Sequence, residues 1–209
     1  MALYGVYGAG GCGRGILPIV RDQLEIGDRL VFVDDKAGVA VNGHQVVSFV
    51  DFVASEAIEK RICIAVSSGA IRSRLAAQCD AAGLAFFSVH HHNCIKMDDV
   101  EIGEGALFSP FTTVTSNVRI GRHFHCNLYS YVEHDCVIGD FVTFAPAVKC
   151  NGNVTIGDGA YIGAGAIIRQ GLSIGAGATI GMGAVVTKDV PAGQTWVGNP
   201  ARPISAMPG

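Results

Sequence analysis

From Ile102 to Val186 an apolar residue stands at every sixth position without a break, counting cysteine as apolar. The fifth position of each hexad is mostly small or apolar, as at Ala106, Val118, Cys136, Val148 and Ala160. Glycine recurs at the second position, as at Gly103, Gly121, Gly139 and Gly157. A period of six matches neither helical repeat, and glycine is too frequent for a helix. The pattern predicts a parallel β-helix, each hexad supplying one short strand and a corner. The first position fills the interior, the small fifth position fits the corner, and glycine permits the bend. Three hexads close a triangular coil of about eighteen residues, so fifteen hexads predict about five coils with no inserted loop.

The first 92 residues carry a different pattern. Apolar runs at Leu3–Tyr7, Arg29–Val33, Ile62–Val66 and Ala85–Val89 predict strands. Amphipathic segments predict a helix through Ile16, Ile19, Val20 and Leu24, and further helices over Phe49–Lys60 and Ile71–Ala82. Alternating β and α elements imply a small parallel sheet with Rossmann-like winding. Two domains are therefore expected: residues 1–92 as a Rossmann-like nucleotide-binding domain and residues 93–209 as the β-helix, joined near Asn93–Asp99.

Composition narrows the function. The 209 residues are 49% hydrophobic and 16% charged, with a formal net charge of -3 and 28 glycines. Mild acidity without a basic tail or helix argues against nucleic acid as a partner. The uncharged stretch Gln170–Thr187 contains five glycines and keeps the hexad period, so no membrane insertion is expected. Met1–Val6 lacks the basic start of a secretory signal. The seven cysteines include no CxxC pair. Reduced thiols in a cytoplasmic protein follow from these features.

Two clusters carry chemistry. Gly8-x-Gly10-x-x-Gly13 lies between a predicted strand and helix, where glycines let the backbone approach a phosphate at a helix N-terminus. Asp34 follows about twenty residues on, where an acidic residue takes a ribose hydroxyl. A structural turn is the plain alternative. The half-length fold suits a sugar nucleotide better than NAD. The second cluster is His123, His125, Asn127, Glu133, His134 and Asp135. An imidazole beside a carboxylate has its tautomer fixed and its basicity raised, as a general base requires. A solvated surface histidine is the plain alternative. One coil at a time, His134 is followed by Gly152, Gln170 and Lys188 along one edge, a row matching a long, thin cofactor with phosphates at its far end.

The chain resembles the sugar acetyltransferases of the left-handed β-helix class. The resemblance rests on Phe32-Val-Asp34-Asp35-Lys36, Val132-Glu-His134-Asp135-Cys-Val-Ile-Gly-Asp-Phe141, and Gly183-Ala-Val-Val-Thr-Lys188-Asp-Val-Pro191 with Val197-Gly-Asn-Pro200-Ala-Arg202. It covers essentially the whole chain. It is closest to the enzymes acting on nucleotide-linked 4-amino sugars, which group with sialic acid O-acetyltransferases. The resemblance implies a left-handed coil, a homotrimer with active sites between subunits, and acetyl-CoA as co-substrate without a metal. It implies His134 as general base, Asp135 as its partner, and Gly152 as the backbone N–H facing the thioester oxygen. Gly8, Gly10, Cys12, Asp34, Asp35 and Lys36 fall where the family holds the sugar nucleotide, with Ser67, Ser68 and Arg72 in the next loop. Asn127 is read as a further substrate contact. Thr143, Gly152, Gln170, Lys188 and Arg202 are read as contacts to acetyl-CoA. Cys12 and Thr143 stand where the family usually has histidine.

The function expected is N-acetylation of a nucleotide-linked amino-deoxy sugar by direct attack on the thioester. Three rivals remain open: sugar or sialic acid O-acetylation, a non-catalytic nucleotide-sensing scaffold, and a zinc site on His123, His125 and His134. Trp196 either packs on the coil or stacks on adenine. His90-His91-His92 reads as a polar junction, and Cys126, Cys136 and Cys150 as small core residues.

Overall fold

The computed structural model describes residues 1–36, 38 and 40–204, and the chain divides into compact units Met1–Val89 and His90–Gly209. In the first unit, strands β1 (Ala2–Tyr7) and β2 (Arg29–Val33) flank helix α1 (Gly11–Arg21) in the chain. The hairpin β3 (Ala40–Val41) and β4 (His44–Val47) follows, then α2 (Phe49–Ala54), β5 (Glu59–Ile64), α3 (Gly69–Ala81) and β6 (Ala85–Phe86). The strand order is β3-β4-β2-β1-β5-β6, parallel throughout except for β3. Val6, Phe32, Val33, Ile62, Cys63 and Ile64 are fully buried, as expected where both faces of a parallel sheet are covered. The order reverses direction at β1, so the loops after β1, β2 and β5 leave from a topological switch point.

Two local features depart from the sequence expectation. The helix begun at Phe49 ends at Ala54, not Lys60. Ser55 is extended, its Oγ donates to the Phe52 carbonyl, and Lys60 Nζ reaches back to the Val53 and Ser55 carbonyls at 2.6 and 2.9 Å. Glu59–Ile64 instead pairs with β1, a long-range demand that outweighs local helical pattern. The β3–β4 hairpin was not expected, although Asn42-Gly43 takes the two positive φ angles that a tight hairpin turn requires.

The second unit is a parallel coil built from three sheets. Strands of mostly two residues pair with those one turn on, as in Leu107↔His125, Tyr131↔Lys149 and Val137↔Thr155. From Phe108 to Val186 every first position is buried, and from Ala106 to Ala184 so is every fifth. The core is therefore one continuous stack of side chains, including Cys126, Cys136 and Cys150. Pairing begins at Val89–His90, ahead of the hexad series.

The role of the second-position glycine differs from the expected bend. The positive φ angles fall at the fourth position, as in Asn117, His123, Asp135, Phe141, Gly159 and Gly165. The second-position glycines instead allow the next coil to approach. A Cβ on Gly163 would lie 2.6 Å from Met182 N, and one on Gly103 2.7 Å from Arg122 N. The final turn is two residues shorter, pairing Ile174 with Val190 and Ile180 with Trp196. That register places Trp196 inward, packed into the core rather than free to stack on a ligand.

Candidate functional site

His134 and Gly152 each lie two residues beyond strands that pair in register, Tyr131–Val132 with Lys149–Cys150. Asp135 takes a left-handed conformation (φ 60°), which lets its carboxylate fold back beside its own neighbour's ring. Its Oδ2 lies 2.8 Å from His134 Nδ1. The other oxygen accepts a hydrogen bond from Asn117 Nδ2 at 3.1 Å. The Asp135 carboxylate holds His134 above the ordinary histidine range, the hydrogen bond being the largest cause. The same bond, followed by that from Asn117, holds Asp135 below the usual carboxylate range. With Nδ1 facing a carboxylate, Nε2 is the nitrogen left to take a proton.

The imidazole lies directly over Gly152. A Cβ there would come within 2.6 Å of His134 Nε2, so the ring keeps this position only over glycine. The Gly152 carbonyl accepts from Gly171 N at 3.0 Å. Its N–H, by contrast, has no hydrogen-bond acceptor among the described residues. Two other third-position N–H groups are held by carboxylates: those of Arg122 and Asp140 donate to Asp140 and Asp158. An unpaired amide next to a basic imidazole can bind an oxyanion while the ring takes a proton.

The row beyond Gly152 keeps its register. Lys149 pairs with Ile167 and Ile167 with Val185, so Gln170 and Lys188 continue the column, both exposed. Parallel strands step about 4.8 Å, which puts Lys188 roughly 14 Å from His134. Thr143 stands elsewhere. It is buried in another sheet between His125 and Tyr161, off the His134 column. Asn127 lies after that same sheet, its Oδ1 accepting from Leu128 N at 2.9 Å. Arg202 is exposed at the C-terminal hairpin, paired with Val197. His123, fully buried, stacks on Phe141, while His125 and His134 follow different sheets, so the three histidines are not brought together. Among the described residues no group of three His, Cys, Asp or Glu could hold a metal. His90 stacks on Phe108, and the rings of His91 and His92 touch at a tilt of 33°.

In the first unit the glycine loop lies at the switch point. Gly8 has φ 105°, Gly10 is the N-cap of α1, and a side chain on Gly13 would overlap the Gly8 carbonyl. Asp34 Oδ2 accepts from Ala9 N and Oδ1 from Lys36 N, both at 2.9 Å. Asp34 thus fixes the loop, with lone pairs still available to a hydroxyl. Asp35 Oδ1 accepts from Phe49 N. Cys12 is half-buried, and burial raises its thiol pKa. Ser68 caps α3 through its Oγ, at 3.4 Å from Ile71 N, and Ser67 precedes it. Arg72 corrects the expectation of a direct ligand contact. It is fully buried, burial lowers its pKa to about 10, and its guanidinium holds the Val66 and Ser67 carbonyls. It braces the loop from beneath.

Sequence reasoning missed Asn117. The eighteen-residue step counted backwards from Asp135 lands on it, so the signal was present. Residues 153–188 match the family described as bacterial transferase hexapeptide (six repeats). The chain is 50% identical, over its full length and 99% of the relative, to a GDP-perosamine N-acetyltransferase of Escherichia coli O157:H7. Among solved structures it resembles WeeI from Acinetobacter baumannii AYE (49% identity, TM-score 0.94), covering 98% of this chain and all of that one. It also resembles the acetyltransferase domain of PglB from Neisseria gonorrhoeae FA1090 in complex with acetyl coenzyme A. There the identity is 30% and the TM-score 0.90, over 97% of this chain and 98% of that one.

Proposed function

This chain belongs to the hexapeptide-repeat sugar acetyltransferases, and we propose that it acetylates the amine of a nucleotide-linked amino-deoxy sugar, a step of surface glycan biosynthesis. Acetyl-CoA is the donor, and the name of the 50%-identical relative makes GDP-perosamine the first acceptor to test. The observation that carries the mechanism is the His134 ring seated over Gly152, with Asp135 on its far nitrogen.

The steps balance with these residues alone. The amine attacks the thioester carbonyl and forms the C–N bond, while Nε2 of His134 takes the amine proton. Negative charge moves to the carbonyl oxygen, where the Gly152 N–H receives it; preorganised donors of this kind act mainly on the transition state. The C–S bond then breaks, and the imidazolium returns its proton to the departing thiolate. Asp135 stabilises the imidazolium between these events and fixes the tautomer. No cysteine acts as a nucleophile in this scheme. Cys126, Cys136 and Cys150 lie in the core, and Cys94 packs against it.

The same reading assigns Gln170, Lys188 and Arg202 to the donor, with Lys188 matching a phosphate. Gly8, Gly10, Asp34, Asp35 and Lys36 take the nucleotide at the switch point, where a Rossmann-like winding is supported by the strand order. Left-handed winding, a homotrimer and a cytoplasmic location complete the proposal. The deciding experiment is CoA release with acetyl-CoA and a panel of GDP-, UDP- and dTDP-linked amino sugars. Saturable release with a mass gain on the amine supports the reading. Acetylation of a hydroxyl, or no release with any amino sugar, overturns it.

A further inference from the structure

The amide offered by Gly152 belongs to the same peptide group as the Asn151 carbonyl. Whatever orients that carbonyl also orients the donor. Cys136, one coil earlier, does so in an unusual way. Its Sγ lies 3.3 Å from Asn151 O and accepts the Val154 N–H at 3.4 Å. The thiol is therefore inserted between the two ends of the turn that carries Gly152.

Turns at the other two corners of the coil close on themselves. Ala160, Ala166, Ala178 and Ala184 donate directly to the carbonyls of Gly157, Gly163, Gly175 and Gly181, at 3.1–3.4 Å. The residues one coil earlier there are Val142, Val148, Ala160 and Ala166, which have nothing to insert. Ser130 provides the counterpart. Its Oγ bridges Ala145 O and Val148 N, each at 3.0 Å. Ser130 thus wedges the turn above it, and Cys136 does the same beneath Gly152. Asn151 is pinned as well through its side chain, with Oδ1 accepting from Tyr131 Oη at 3.1 Å and Nδ2 donating to Ile168 O at 2.7 Å.

We infer that Cys136 is a positioning residue for acyl transfer, its thiol holding the Asn151–Gly152 peptide so that the Gly152 N–H faces the acyl oxygen. The inference rests on the mechanism proposed above. Without the thiol, Asn151 O and Val154 N are free to close directly, as turns at the other two corners do, rotating the peptide away from its working orientation. The fold survives that change, because four turns at the other corners of the same coil already adopt it. The donor's transition-state role weakens, because such donors depend on preorganised geometry.

The test compares Cys136→Ser, which keeps a group able to bridge, with Cys136→Ala and Cys136→Val, which do not. Steady-state acetylation by the full-length protein is measured for each, with the unfolding midpoint and with His134→Ala in parallel. The expected result for Ala and Val is a fall in kcat of about 5–50-fold, with KM for the sugar nucleotide unchanged. Ser restores most of kcat. Cys136→Ala with wild-type kcat, while His134→Ala is inactive, overturns the positioning role and leaves the general base standing. Full activity in His134→Ala overturns the underlying mechanism instead. A kcat loss that tracks lowered stability equally in Ser, Ala and Val reduces Cys136 to a packing residue, which also overturns the inference.

Discussion

His134 and Gly152 are eighteen residues apart in sequence and in contact in space, the ring lying where a β-carbon of residue 152 would have to be. Replacing Gly152 by alanine sets that carbon against the end of an exposed side chain, which can swing aside. The expected outcome for Gly152→Ala is an unfolding midpoint close to wild type with turnover reduced at least tenfold. Parallel thermal melts and CoA-release assays decide it, and retained turnover would show that ring and amide need not be adjacent.

His134→Ala is expected to lower kcat by about 10²–10⁴-fold, the usual contribution of a positioned general base. The side chain is largely exposed, so its removal leaves the fold intact. A loss below tenfold would mean that the amine arrives already deprotonated.

The Asp135 contact predicts a pH effect with a definite sign. The carboxylate favours imidazolium and raises the pKa of His134, whereas a general base must be neutral. Activity therefore falls on acidification at a higher pH than an unpaired histidine would give. Asp135→Asn, which tolerates the left-handed backbone, is expected to move this acid limb to lower pH and lower the plateau. Rate profiles for the two proteins that coincide would remove Asp135 from the scheme.

Lys188 ends the column that begins at His134. If it meets a phosphate of acetyl-CoA, Lys188→Ala raises the KM for acetyl-CoA by about tenfold or more, as the loss of a charge-assisted hydrogen bond of about 1.5–3 kcal/mol requires. The KM for the sugar nucleotide stays the same. An unchanged donor KM would remove the contact.

Two glycines separate the uses of that residue. Gly163→Ala would press a carbon onto the backbone at Met182, and a loss of about 1–3 kcal/mol is expected. Gly15 lies within α1 with open space around it, so Gly15→Ala is expected to stabilise by about 0.5–1 kcal/mol. Denaturant titration of both variants reads the difference.

The hexad spacing alone determined the coil, its inward residues and the column through His134, Gly152, Gln170 and Lys188. A repeat that must bury one face at a fixed period writes itself into sequence, and stacking turns that period into contact. The Gly8–Gly13 loop and Asp34 were legible for a similar reason, since close backbone approach admits only glycine. The tertiary structure decided what depends on distant partners. Glu59 joined a strand because β1 needed a neighbour, and Trp196 turned inward because the last turn lost two residues. Arg72 became a buried brace, and Cys136 entered the turn beneath the site. None of these has a local signature, because each is set by the geometry of a neighbour reached through the fold rather than along the chain.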